Sequence, residues 1–342
     1  MQLDRTHVKV RPRSLSEIGD LALMLIRQYP QALLVGFFLG ALPWALCNLL
    51  LVGWLPLSET IENVYDEETI EQRYRYIWLM TCLIYLQSPL AGAFTTYYIG
   101  QAIFEERPPW QRVFRETAAV SLRLLWSLGI VRGAIPAMLL VLSNWGGEFA
   151  LGRELFWMFV LLIWATAIRS FRPFLPEILL LERCPIFAGG NATALSAGRR
   201  SRLLHNPLGG DLFGRFALAG SLIALLALGL FYSLVFTFEA VTNTSQWSLT
   251  VTLVLLPLAL WMAAGFSVLV RFLSYLDCRI RLEGWEVELS LRAEAMRQFG
   301  EESGFSPSPA TVSGAATVSG AATSSAADAS PAASPASAVG AP

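Results

Sequence analysis

Residues 32–57 read ALLVGFFLGALPWALCNLLLVGWLPL, without one charged side chain. A hydrocarbon core about 30 Å thick is crossed by roughly 20 apolar residues at about 1.5 Å rise each, so this stretch is long enough to cross a bilayer. Further runs of the same kind occupy residues 76–104, 118–143, 155–181, 216–238 and 249–276. Gln87, Ser88 and Pro89 interrupt the second run, which predicts a tilt or kink there. Arg123 and Arg132 lie in the third. Arg169, Arg172, Pro173 and Pro176 break the second half of the fourth, which leaves 155–174 for the membrane and an interfacial stretch after it. A globular protein does not bury six such runs. The expected fold is all-α: a polytopic membrane protein of six transmembrane helices with cytoplasmic amphipathic helices.

Composition agrees. Hydrophobic residues make up 54% and charged residues 15% of the 342, with a mean hydropathy of +0.51. Soluble domains carry about 25% charged residues. The net charge of -1 gains meaning only when divided by topology. One set of connections holds Arg5, Lys9, Arg11, Arg13 and Arg27, then Arg107, Arg112 and Arg115, then Arg183, Arg199, Arg200, Arg202 and Arg215, and finally Arg279, Arg281, Arg292 and Arg297. The alternate connections hold Arg73, Arg75 and Arg153 among Glu59, Glu62, Asp66, Glu67, Glu68, Glu71, Glu148, Glu154 and Glu239. Basic loops stay in the cytoplasm, so both ends are expected there. The N-terminus has no short apolar region with a cleavage site, and residues 32–57 are expected to act as an uncleaved signal anchor.

A short amphipathic segment precedes each odd-numbered span. In residues 14–28, Leu15, Ile18, Leu21, Ala22 and Leu25 recur at helical spacing, with Ser14 and Glu17 placed as a capping box. The second segment is 110–116, opened by Pro108 and Pro109, and the third runs from 185 to 205. Three copies of an interfacial elbow followed by a helical hairpin would describe the membrane domain. The domains expected are a cytoplasmic N-terminus with an amphipathic helix (1–30), a six-span membrane domain (31–276), a cytoplasmic C-terminal helix (277–302) and a tail (303–342). The last helix is expected to continue through Arg281 and turn at Gly284. In the tail, Ala-Thr-Val-Ser-Gly-Ala repeats in tandem from Ala310 and Ala316, and Asp328 is the one charge, a composition that predicts disorder.

The chain resembles a family of uncharacterised bacterial six-helix integral membrane proteins related to the membrane domain of some glycerophosphodiester phosphodiesterases. Arg11-Pro-Arg-Ser-Leu-Ser-Glu-Ile-Gly-Asp20, the segment from Glu182 to Leu203 with Arg199-Arg200-Ser-Arg202, and above all Tyr275-Leu-Asp-Cys-Arg-Ile-Arg-Leu-Glu-Gly284 carry the resemblance. The last is similar to a Tyr-x-Asp-x-Arg-x-Arg-x-Glu-Gly ending, and the likeness covers residues 11–295. It implies a bacterial inner-membrane protein without a settled activity. It does not bring the phosphodiesterase, whose chemistry belongs to a separate soluble domain.

The motifs HExxH, GxSxG, Walker A and the Rossmann glycine pattern are all missing from the sequence. Cys47, Cys82, Cys184 and Cys278 form no CxxC, and His7 and His205 lie in basic segments, so no catalytic residue, metal or cofactor is expected. Two places could carry function. Arg132 falls near the middle of its run, where a charge costs at least about 2.5 kcal/mol. It could make structural hydrogen bonds, snorkel, or line a substrate or ion site, with Gln87 and Ser88 as the nearest candidate partners. Asp277, Arg279, Arg281 and Glu283 could anchor the chain against anionic lipid heads or form a docking surface for a cytoplasmic partner. The expected function is a non-enzymatic accessory or scaffold protein of the bacterial inner membrane. Its expected partners are the lipid bilayer and other membrane or cytoplasmic proteins, not nucleic acid. The alternative is a transporter or lipid-handling channel with a polar site near Arg132 and Gln87.

Overall fold

Ser14 opens the first helix. Its Oγ accepts from Glu17 N at 3.3 Å while the Glu17 carboxylate accepts from Ser14 N at 2.9 Å, a complete capping box. Helix α1 (Leu15–Gln28) then buries Ile18, Ala22 and Leu25 among Leu269, Phe272 and Leu273. A computed structural model describes residues 13–61, 67–103, 108–143, 150–186, 196–243 and 247–283. The expected tail, the end of the C-terminal helix beyond 283 and the turn at Gly284 lie outside the described residues.

Beyond α1 come a π-helical segment (Ala32–Phe37), α2 (Phe38–Val52), α3 (Trp54–Ile61), α4 (Glu67–Ala91), α5 (Ala93–Ala102) and α6 (Trp110–Leu124). A second π segment (Leu125–Ala134) leads into α7 (Ile135–Ser143), followed by α8 (Leu151–Phe171), the single turn α9 (Leu175–Glu177) and a third π segment (Ile178–Glu182). Helix α10 (Ala197–His205), α11 (Gly209–Thr242), a last π segment (Val251–Leu255) and α12 (Leu256–Glu283) complete the order, with no strand among the described residues. Among the described residues, four runs are long and apolar enough to cross a membrane: Ala32–Val52, Gln72–Ala102, Gly209–Thr242 and Val251–Glu283. The chain is a membrane protein, all-helical over its described residues.

Proline explains much of the irregularity. The π segments Leu125–Ala134 and Val251–Leu255 each end two residues before a proline, Pro136 and Pro257. A proline has no N–H, and its ring crowds the carbonyl four residues back. A wider turn relieves both defects without breaking the helix. At Pro89 the solution differs. Tyr85 would be the α-helical acceptor for residue 89, and the Ser88 hydroxyl donates to that carbonyl instead, at 3.1 Å. Helix runs on through residues 87–89, where a kink was expected, and is interrupted by a single turn residue at Gly92.

One expectation needs correction. The second amphipathic segment, 110–116, does not form a separate elbow, because helix continues unbroken from Trp110 to Ser143. Pro108 and Pro109 precede the helix, and no proline interrupts it before Pro136. By contrast, the first elbow ends at Tyr29, next to Pro30, and the third passes through a 3-10 turn at Asn206–Leu208 around Pro207.

The core lies where α2, α4 and α12 meet, around Ala41, Val52, Leu83, Ile84, Trp261 and Val268. Glycine permits the close approach. A Cβ on Gly40 would stand 2.1 Å from the Ala91 carbonyl oxygen, and one on Gly92 would stand 2.5 Å from a Val268 methyl. Such small-residue crossings suit a bilayer, where helices associate through packing and not through release of water.

Candidate functional site

On a helix, residues two apart point about 200° from each other, so a motif with charges at every second position must face two ways. Tyr275, Arg279 and Glu283 fall on one face of α12, and Asp277 and Arg281 on the other. The structure uses both faces. On the first, the Tyr275 hydroxyl donates to Glu182 Oε1 at 2.6 Å, and Arg279 donates to Glu283 Oε2 at 2.8 Å and 3.0 Å. Arg200 of α10 joins them, donating to Glu182 at 2.6 Å and 3.1 Å and also to Glu283. On the second face, Asp277 accepts from Arg215 of α11 at 3.0 Å and from the Arg13 backbone N–H at 2.7 Å, and it pairs with Arg281 at 2.9 Å. Arg281 also donates to the Arg13 carbonyl at 2.9 Å. The four residues read as a docking cluster thus fasten α10, α11 and the N-terminal segment of the same chain.

The first face continues inward. Arg271, one turn before Tyr275, donates from Nε to Glu177 Oε1 at 2.7 Å. Glu177 is fully buried, at 0% exposure. Glu177 and Glu182 are five residues apart, which an α-helix would turn well away from each other. The π segment between them, with its i→i+5 bonding, stacks residues five apart and so brings both carboxylates to α12. The result is a polar ladder along Arg271, Tyr275, Arg279 and Glu283. Burial opposes the charge on Arg200. The hydrogen bonds and negative charges of Glu182 and Glu283 outweigh it and hold the guanidinium protonated above its ordinary range.

Beside the ladder, Arg183 takes a left-handed backbone conformation at φ 52° and pairs with Glu116 of α6. The Arg183 hydrogen bond, followed by its positive charge, holds the Glu116 carboxyl below the usual carboxylate range.

Two of the intramembrane candidates have partners among the described residues. Gln87 forms a reciprocal amide pair with Asn48 of α2: Asn48 Nδ2 donates at 2.8 Å and Gln87 Nε2 at 2.7 Å. Both side chains are buried. Gln87 is thereby bonded to α2, and the Ser88 hydroxyl to the Tyr85 carbonyl. Arg132 lies in the π segment Leu125–Ala134, with its side chain outside the described residues. A second buried pair, absent from the sequence reading, joins Arg75 of α4 to Glu154 of α8 at 2.7 Å.

Asn48, Glu177, Glu182, Arg200 and Arg271 are the site residues that sequence reasoning missed. Two signals were present: Arg271 stands inside an apolar run four residues before Tyr275, and Glu177 follows Pro176 in another. Among the described residues no group of three or more His, Cys, Asp or Glu could hold a metal ion. No protein-family model, no curated protein and no solved structure matches this chain.

Proposed function

We propose that this protein is a scaffold of the bacterial inner membrane, crossing it six times with both ends in the cytoplasm and acting through other membrane or cytoplasmic proteins. The observation that carries this reading is the polar ladder on α12. Charges that could have served a ligand tie α10, α11, the Ile178–Glu182 segment and the N-terminal segment into one rigid inner end.

The buried ion pairs support six spans. Glu154 near the start of α8 is held by Arg75, and Glu177 just beyond its end is held by Arg271. The helical path from Arg75 to the Gly92–Val268 contact and on to Arg271 amounts to about 30 Å, the thickness of the hydrocarbon core. Helix α8 is thereby pinned at two depths a bilayer apart. Residues 118–143, the later part of the helix that begins at the Tyr98–Trp110 stack on the inner end, supply the remaining span. The exposed inner arginines, Arg115, Arg123, Arg199 and Arg202 among them, suit a cytoplasmic face. The resemblance to the six-helix family agrees with this topology.

The second reading, a transporter or lipid-handling channel, has one specific observation in its favour. Arg132 sits in a ten-residue π-helical segment, and such segments recur at functional sites. Arg132→Leu separates the two. A scaffold keeps its thermal stability in nanodiscs and complements a deletion strain. A stable, fully inactive variant would overturn the scaffold reading in favour of the channel.

A further inference from the structure

We propose that Glu177 and Arg271 bind a single buried water molecule at the inner end of the bundle. A carboxylate and a guanidinium lying side by side can close two parallel bonds. Here only one forms, from Nε to Oε1 at 2.7 Å. Among the described residues Glu177 Oε2 and Arg271 Nη2 are both buried without a hydrogen-bond partner. The carboxylate is fully buried and the arginine side chain 15% exposed. The same ion pair thus leaves one unused acceptor and one unused donor.

The chain neighbours of Glu177 do not answer either. Leu175, Ile178 and Leu179 are apolar and buried, and Pro176, the neighbour of Glu177, has no N–H to offer. Tyr275, the next residue up the ladder, already gives its hydroxyl proton to Glu182.

The chemistry selects the ligand. The formal charges of the pair cancel, so an ion would leave a net charge buried. What fits is a neutral group that donates to Oε2 and accepts from Nη2. Hydroxyl groups do both, and at a fully buried carboxylate water is the hydroxyl of the right size. The outer pair also leaves a buried acceptor, Glu154 Oε2, but no unused guanidinium donor on Arg75. Arg75 gives Nε and Nη2 together to Glu154 Oε1 and Nη1 to Gln72, so its fork is committed.

Two measurements on the full chain test the site. In a lipidic-cubic-phase crystal structure that resolves ordered waters, an isolated density should lie about 2.7–3.2 Å from both Oε2 and Nη2. Closure of Nη2 onto Oε2 with nothing between them would overturn the proposal. Density joined to a lipid chain would also overturn it, by giving the hydroxyl to a lipid. Radiolytic labelling in 18O water, on protein in nanodiscs, supplies the second arm. Residues 175–178 should take up label above background and lose it in the Glu177→Leu, Arg271→Leu double variant, while Trp247 at the other end of the bundle labels equally in both. Wild-type protein that labels at Trp247 but not at 175–178 would refute a water there, whether or not the double variant folds.

Discussion

Helix α11 and the run Val251–Glu283 lie against each other and are nearly indistinguishable by composition. They have 34 and 33 residues, and their most apolar stretches have mean hydropathies of 2.2 and 2.3. Yet the most apolar stretch of the first is 17% buried and that of the second 50%. Hydropathy records transfer from water to hydrocarbon, and a lipid tail and a neighbouring helix are equally good hydrocarbon. What separates the two is side-chain pattern. The second run carries Trp261, Gly265, Val268 and Phe272 toward its neighbours and Arg271 toward Glu177. Helix α11 turns Leu222, Leu225, Tyr232 and Phe236 outward.

The sharpest way to break the comparison is at the ion pair. Arg271→Met leaves a buried carboxylate alone, and stability should fall by about 3–5 kcal/mol, the cost typical of stranding one charge of a buried pair. Adding Glu177→Leu should recover most of that loss in thermal unfolding of the reconstituted protein. No recovery in the double variant would mean that the pair does more than cancel its own charge.

Matched phenylalanines come next. Phe272 is 1% exposed and Phe236 is 73% exposed. Phe272→Ala should cost about 3–5 kcal/mol, whereas Phe236→Ala should stay within about 0.5 kcal/mol. Equal losses from both would show that α11 buries its outer face in an assembly.

Glycines should give opposite signs. A Cβ on Gly265 meets Phe37 at 3.1 Å and Leu33 at 3.2 Å, while one on Gly220 has nothing within 4 Å. Gly265→Ala should lower the melting temperature as the Ala32–Phe37 segment gives way. Gly220→Ala should raise it, by the roughly 0.5–1 kcal/mol that alanine gains over glycine inside a helix.

The smallest effect lies away from both helices and serves as a baseline. Glu116 is held below its ordinary range by Arg183, so the folded carboxyl releases its proton at a lower pH than the unfolded one. Its stabilisation is complete above the unfolded carboxylate pKa, about 4.3, and is lost as pH falls through the lowered folded value. The melting temperatures of wild type and Glu116→Gln should differ slightly at neutral pH and converge below about pH 4. A gap that survives acid would assign the effect to packing and not to charge.

Local and compositional features were legible in the sequence by itself. The capping box at Ser14 and Glu17 and the four helices apolar enough to cross a membrane among the described residues follow from side chains within a few residues of one another, or from hydropathy summed over a window. The alternating charges from Tyr275 to Glu283 even announce two opposed faces, because the turn angle of a helix is fixed. Which groups those faces meet was not legible. Asn48 reaches Gln87 across 39 residues, Glu177 reaches Arg271 across 94, and Asp277 reaches the Arg13 backbone across 264. A single buried polar residue states only that it needs a partner, and any donor or acceptor in the chain would satisfy that need. The choice was made by packing: glycines at 40 and 92 let α2, α4 and α12 close, and a π turn swung Glu177 and Glu182 onto one face. Both depend on which helices touch, and hydropathy carries no such information between surfaces that are all apolar.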